Sequence, residues 1–448
     1  GTSLMALSWR ASIPVFVGII PLFFFPTSLF FFGWLVLCAL LWAFDATMAP
    51  SPRQLSIERS IDTPIPVGNP AHSRIVLRTP VPMRLDLRDA WPPSTHPSPY
   101  SHSLVAQPEM ESRVTTTLHL ERRGSIRADY VTVRSWGPLR MAARQTSIVA
   151  PLNLNVLPPF RAKRLLPSRL ARLHELEGTT ATVLRGPGTE FDSLREYVRG
   201  DDPRDIDWRA SARSSDLVVR TWRPERDRHV MIVVDAGRSG AMLLGEPQEA
   251  DLGDKDLVEL GVAPRLDAQI EAALLLGVLA DRAGDQVHML VVDREIHEDL
   301  AQQRAGALIR EAAKAFSRVQ PSLLPLDWQL VINAVDKRLR HPGLVVLLTE
   351  TPPAATDVDF SEAIATLSKR HRVIVAGARD PELGRMSTDW TDAPSAFTAA
   401  AASATSRDLD AGARDARSVG AYVIDCDAGF LPARLADTYI ALKKAGKL

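Results

Sequence analysis

The sequence predicts a multidomain chain: an N-terminal transmembrane helical hairpin, a small antiparallel β-sandwich, then a doubly wound α/β domain. Three observations predict it. Residues 11–44 run for 34 positions without a charge. Residues 50–157 are rich in proline and alternate in short period-two runs. From Val230 onward, continuous apolar runs alternate with segments of helical spacing.

The 448 residues are enough for two or three domains. Lys+Arg and Asp+Glu are both 53, so no global field steers the chain toward nucleic acid. Cys38 and Cys426 make no disulfide framework, and the ten histidines show no metal-ligand spacing.

The first element is the apolar segment 11–44. A straight helix of that length is about 50 Å long against a hydrocarbon core of about 30 Å. Pro21 and Pro26 with Thr27-Ser28 break it into two short arms, a hairpin. Arg10 precedes it and Arg53 and Arg59 follow, so the positive-inside rule turns both ends toward the cytoplasm. This makes the chain a multi-pass plasma-membrane protein with its bulk cytoplasmic. A secretory signal is the rival reading, but the run is too long and lacks a clean cleavage site.

Residues 50–157 carry prolines at 64, 66, 70, 80, 82, 92, 93, 97 and 99, which disfavours long helices. Residues 84–88, 118–120, 130–133 and 152–156 alternate as half-buried strands do, giving the β-sandwich. Residues 91–108, rich in Pro, Ser and His, read as a long mobile loop. Residues 158–227 form a linker and a charged stretch. Its basic part, 161–176, reads as a solvated helical face, with anionic lipid as the alternative.

Residues 228–448 form the α/β domain. Val230–Val234, Val287–Val292, Leu344–Leu348, Val373–Ala376 and Tyr422–Ile424 are its strands, apolar on both faces as buried parallel strands are. Ile270, Ala273, Leu274, Gly277 and Val278 mark a helix, and others are expected near 301–320, 326–340, 359–371 and 429–444. Residues 393–406, rich in alanine, read as a loose insertion.

The most charged stretch is residues 186–213. Between Thr189 and Arg213 it holds seven acids and five arginines. Gly186-Pro187-Gly188 and Gly200-Asp201-Asp202-Pro203 are turn chemistry, so it reads as turn, short helix, turn, short helix. Phe191, Leu194, Tyr197 and Trp208 are its apolar anchors. Glu190, Arg195, Glu196, Tyr197, Asp201, Asp202, Arg204, Asp207, Trp208, Arg209 and Arg213 are the candidate partner-binding or junction network. Carboxylates so interleaved with arginines suit ion pairing better than general acid catalysis.

The run E-F-x-x-L-R-E-Y-x-x-G-D-D-x-R-x-I-D-W-R-x-S-A-R, Glu190 to Arg213, resembles the signature of a bacterial membrane-protein family known as domain of unknown function fifty-eight. Its members are usually encoded beside MoxR-type AAA+ ATPases, so the resemblance implies such an ATPase as protein partner. It also implies a von Willebrand factor A-like α/β domain. In such domains a D-x-S-x-S motif follows the first strand and holds Mg²⁺. Asp235-Ala236-Gly237-Arg238-Ser239 resembles it, with Gly237 in place of the first serine. Asp235, Ser239 and Glu350 are therefore the candidate ligands of a degenerate Mg²⁺ site. The alternative is that Asp235 caps the following segment in a metal-free scaffold.

Phosphate-loop, nucleophile-elbow and dinucleotide glycine motifs are absent from the sequence. The expected function is a non-enzymatic, membrane-anchored, cytoplasm-facing adaptor that assembles or activates a protein complex. The competing expectations are a divalent-metal-dependent hydrolase using Asp235 or the 189–213 carboxylates, and an exported cell-surface binding module.

Overall fold

The structure, a computed structural model, describes residues 4–24, 27–180, 190–198, 206–213, 217–223, 228–301, 306–353 and 355–448. The chain divides into two compact units, 1–159 and 160–448.

In the first unit β1 (Leu4–Leu7) leads into the apolar helices α1 (Ser12–Val17), α2 (Ile19–Phe24) and α3 (Ser28–Met48). Helix α2 ends at Phe24 and α3 begins at Ser28; Pro21, expected to mark a break, lies inside α2. Thr27 caps α3 by accepting the Phe30 N–H. Trp34 Nε1 donates to the Pro14 carbonyl at 2.9 Å, joining α1 to α3. Among the described residues one stretch, Ser28–Gln54, is long and apolar enough to cross a membrane, and a shorter apolar helix, Trp9–Pro21, precedes it.

Eight strands follow: β2 (Ser56–Ile61), β3 (Ile65–Pro66), β4 (Ala71–Arg78), β5 (Met83–Asp89), β6 (His102–Ala106), β7 (Ser112–Leu118), β8 (Gly124–Trp136) and β9 (Ala142–Leu157). They form two sheets, β1-β9-β8-β5-β6 with β3 added to β9, and β2-β4-β7. Burial alternates along β4 and β5. Ile75 and Leu77 of β4 share a core with Leu85 and Leu87 of β5 and Val131 and Val133 of β8. The two sheets thus bury a common set of side chains. Residues 91–108 are not a mobile loop: Trp91 is buried, and β6 pairs with β5 from Met83↔Ala106 to Leu87↔His102. Alternation in His102–Ala106 wins over the surrounding prolines because β5 offers an unpaired edge.

The second unit opens with a 3-10 turn at Arg161–Leu165 and α4 (Leu166–Thr180). This segment is neither a solvated linker nor a lipid-facing helix. Ala162, Leu165 and Leu173 join the α/β core, while Arg169 and Arg172 pair with Asp437. Next come β10 (Glu190–Glu196), α5 (Trp208–Ser211) and β11 (Val218–Arg223). The first short helix expected in the signature is instead a strand, β10, paired antiparallel with β11. The run Val-Val-Arg-Thr-Trp-Arg of β11 is strongly β-prone, and its ladder overrides the local helical reading.

The remaining elements are β12 (His229–Asp235), α6 (Arg238–Ala241), β13 (Leu243–Leu244), β14 (Ala263–Pro264), α7 (Arg265–Arg282), β15 (Gln286–Val292), β16 (Ile296–Ala301), α8 (Ala307–Arg318), α9 (Trp328–Arg338), β17 (Leu344–Leu348), α10 (Val358–Ser368), β18 (Arg372–Arg379), α11 (Pro381–Thr388), α12 (Ala393–Ser418), β19 (Tyr422–Asp427) and α13 (Leu431–Lys444). The sheet order is β16-β15-β12-β17-β18-β19, parallel except for the edge strand β16. Counted along the chain this is 3-2-1-4-5-6, the doubly wound order. Val230, Ile232 and Val234 face one core with α7 and α13, and Met231 and Val233 face a second with α9 and α10. Residues 393–406 are not a loose insertion but the first half of α12. Asp392 caps it by accepting the Ser395 N–H, and Ala399, Ala402 and Leu409 are buried along it. Alanine is the strongest helix former, and here its small side chain also permits close packing.

Candidate functional site

In a doubly wound sheet, ligands bind beyond the carboxyl ends of the strands, where the strand order reverses. Here that point lies between β12 and β17, which are hydrogen-bonded neighbours in opposite halves of the sheet. β12 ends on Asp235, and β17 is followed by Thr349-Glu350. The sequence-predicted residues Asp235, Ser239 and Glu350 do converge there.

Each of them already has hydrogen-bond partners. Asp235 is buried; its Oδ2 accepts from the Thr349 hydroxyl at 2.6 Å and its Oδ1 from the Gly237 N–H at 2.8 Å. Burial pushes the Asp235 carboxyl above the usual carboxylate range, while the Thr349 and Gly237 donors and Arg265 pull it back. Ser239 Oγ accepts from the Glu350 N–H at 3.3 Å. Among these groups lies the guanidinium of Arg265, the first residue of α7. Its Nη1 donates to the Ser239 carbonyl at 3.0 Å and to Ser239 Oγ at 3.3 Å. Its Nη2 reaches Glu350 Oε1 at 3.2 Å, and its Nε donates to the Ala378 carbonyl at 2.8 Å. Arg265 is itself buried.

These residues do not fit Mg²⁺. A cation already stands among these groups, because the planar fork of Arg265 pairs with Glu350 and donates to Ser239. Among the described residues no cluster of three or more His, Cys, Asp or Glu side chains is arranged to hold a metal. Sequence reasoning missed Arg265, although one signal pointed to it. A cation in the first turn of a helix opposes the helix dipole, and in a buried helix it calls for anionic or carbonyl partners close by.

The rim of this mouth is apolar. Leu324 receives the Arg238 N–H on its carbonyl at 2.8 Å, and Met242 receives the Arg265 N–H at 2.7 Å, which places both beside α6. Leu323, Leu324, Met242 and Leu243 are all exposed, Leu323 by 80%. The loop between β13 and β14 carries Glu246, Glu249, Asp251 and Asp254, and its Gly245 N–H donates to Asp380 Oδ1 at 3.0 Å.

The described signature residues lie on β10, just after it, and on α5 with its cap and flanks. Asp201, Asp202 and Arg204 lie outside the described residues. Glu190 and Arg195 sit on β10, opposite Arg223 and Val219. Tyr197 is half-buried, and its N–H donates to the Leu217 carbonyl at 2.7 Å. Asp207 caps α5, accepting from the N–H groups of Arg209 at 3.0 Å and Ala210 at 2.9 Å. Trp208 is not an anchor against the core: it is 67% exposed, because the cap turns it outward at the first position of a one-turn helix. Glu196, Arg209 and Arg213 are exposed as well.

A family model described as "Protein of unknown function DUF58" matches residues 193–398. The curated relatives include the uncharacterized proteins Mb1516 of Mycobacterium bovis and MT1527 and Rv1480 of Mycobacterium tuberculosis. Each is 23% identical over 212 residues, 46% of this chain and 60% of the relative. The chain thus spans about 60% of the length of the curated relatives it matches. Among solved structures, that of the SpRpn10 VWA domain aligns over 47% of this chain and 94% of its own, at 10% identity and a TM-score of 0.28.

Proposed function

We propose, for a chain whose residues 193–398 match the DUF58 family, a membrane-anchored, cytoplasm-facing adaptor that binds a protein partner at the carboxyl edge of its α/β sheet. The observation that carries this is the mouth at the switch point. Its floor is closed by the Arg265 network, while its rim exposes Leu323, Leu324, Met242 and Leu243. A closed polar floor beneath an apolar rim suits protein docking better than turnover of a small substrate. The acids of the β13–β14 loop favour a partner that is basic around an apolar centre.

The partner we assign is a MoxR-type AAA+ ATPase, on the strength of the family resemblance. The anchor is the apolar hairpin, of which α3 is the arm long enough to span. Arg59 does not contribute to its orientation, since that side chain is buried against Asp89 within the β unit. Arg10 and Arg53 remain as the flanking cations that favour a cytoplasmic face.

The test is binding of the reconstituted full chain to the MoxR-type ATPase of its own organism. Micromolar or tighter affinity is expected, weakened roughly tenfold or more, about 1.4 kcal/mol, by Leu323→Asp with Leu324→Asp. Unchanged affinity in that variant would move the docking site elsewhere. Divalent-dependent hydrolysis of a phosphoester, lost in Asp235→Ala, would replace the adaptor reading with the hydrolase. A reporter fused to the C-terminus tests orientation, and an external signal would indicate an exported module.

A further inference from the structure

One β-turn grips both ends of the apolar hairpin. The turn joining β8 to β9, residues 137–141, and the first residue of β9 together present three N–H groups to Asp45 in the last turn of α3. Leu139 donates to Oδ1, and Met141 and Ala142 to Oδ2, each at 2.8 Å. Asp45 is completely buried. Arg144 Nε donates to the carbonyl of Ala46 at 3.0 Å, satisfying the end of α3. The other end of the hairpin is tied to the same place. β1 pairs with β9 from Leu4↔Gln145 to Leu7↔Ala142, and the Ser8 N–H donates to the Met141 carbonyl at 2.9 Å.

Around this clamp the surface is apolar and cationic. Met5 and Leu7 lie two apart on the edge strand β1, so they share a face, and both are exposed. Leu139 at the turn, Phe44 and Met48 on α3, and Trp9 are exposed too, Trp9 by 74%. Arg10 and Arg140 stand among them, also exposed. An uncovered edge strand with two apolar side chains is a liability in water. Tryptophan and arginine beside the end of an apolar helix are the chemistry of a bilayer interface.

We infer that the β1 edge and the 137–141 turn form a lipid-facing collar, seated in the headgroup layer and binding anionic lipid through Arg10 and Arg140. The inference rests on the hairpin being membrane-embedded. Continuity then fixes the occupant: the end of α3 reaches the membrane surface, and Leu139 and Leu7 are each within one hydrogen-bonded residue of it or of its clamp. The clamp also makes the hairpin enter and leave on one side. The β unit is thereby held in a set pose at the membrane rather than tethered by a linker.

The experiment uses the full chain in nanodiscs of phosphatidylcholine with or without phosphatidylglycerol, in a Cys38→Ala/Cys426→Ala background. Single cysteines Met5→Cys, Leu139→Cys, Val105→Cys and Leu40→Cys carry an environment-sensitive dye, and lipids spin-labelled at the headgroup and at mid-chain quench it. Val105 is an exposed control on β6, at the opposite edge of the sheet, about 19 Å from β1 at 4.8 Å per strand. The headgroup quencher is expected to act roughly threefold or more strongly at positions 5 and 139 than at 105. Arg10→Glu with Arg140→Glu should abolish the added effect of phosphatidylglycerol. Equal quenching at 5, 139 and 105, with position 40 quenched by mid-chain label, would overturn the collar and leave the hairpin standing. Protection of 5 and 139 by self-association would overturn it in favour of a second copy pairing on β1. No quenching at position 40 would overturn the membrane reading and the collar together.

Discussion

Arg265 Nη2 donates to Glu350 Oε1 at 3.2 Å, across 85 residues of sequence, so a side-chain cation stands among the groups where a divalent metal is expected. The arrangement keeps the acidic switch point neutralised without any ion from solution. Its geometry is set by α7, whose first residue is held by a backbone bond from the Arg265 N–H to the Met242 carbonyl at 2.7 Å.

Magnesium titration of the wild-type chain is therefore expected to release no heat at micromolar to sub-millimolar concentration. Arg265→Met should lower stability by about 1–3 kcal/mol, because two carbonyls and the partly exposed Glu350 lose their donor. Calorimetry and denaturant unfolding measure the two effects. Micromolar Mg²⁺ binding that vanishes in Asp235→Ala would contradict this account.

Glu271 on α7 accepts the N–H groups of Arg161 at 3.0 Å and Ala162 at 2.9 Å, pinning the start of the second unit to its core. Burial pushes its carboxyl from the ordinary 4.5 up to about 7; the two N–H donors and Arg161 oppose the rise, and Asp267 adds to it. A raised carboxyl favours the protonated form in the fold. Its stabilising contribution is complete below about pH 4.5 and is lost as pH rises through 7. The difference in unfolding free energy between wild type and Glu271→Gln should change by about 2.5 kcal/mol between pH 5 and pH 8, the wild type losing ground as pH rises. A difference independent of pH would remove Glu271 as its source.

In the β unit Asp89 accepts from Arg59, from Ser73 at 2.6 Å and from Trp91 Nε1 at 2.9 Å, and Arg59 also donates to the Ala128 and Ala150 carbonyls. Both charged side chains are essentially inaccessible. Asp89→Ala strands the Arg59 cation and should cost about 3–5 kcal/mol; substituting both residues with apolar ones of similar volume should cost less. Denaturant melts of the single and double variants decide it.

Asp207 makes cap bonds to α5 and lies in the signature, where an ion-pair network is the sequence expectation. Asp207→Ala is expected to cost about 1 kcal/mol, the usual value of a lost cap, and Asp207→Asn only a few tenths. A loss of 3 kcal/mol or more in both variants would restore the buried-network reading.

Much of the architecture was legible in the residues. Val230–Val234 and Leu344–Leu348 are apolar on successive positions because both faces of a parallel sheet are covered, and that pattern survives any rearrangement of loops. The uncharged run of residues 11–44 is likewise a local signal, since its length and composition are read directly from consecutive residues. The family signature was legible for the same reason, being contiguous.

Tertiary structure alone decided the rest. That an arginine meets Ser239 and Glu350 depends on a helix that begins thirty residues after Asp235, and nothing within Asp235–Ser239 encodes it. The strand at Glu190–Glu196 needs β11 as its partner, and His102–Ala106 needs β5. Asp45 looks like a stray charge at the end of an apolar helix until the turn at 137–141 and the first residue of β9 supply three N–H groups to receive it. Period and composition act through neighbours in sequence, so they specify the elements. Charge pairing and strand edges act through neighbours in space, and only the folded chain chooses those.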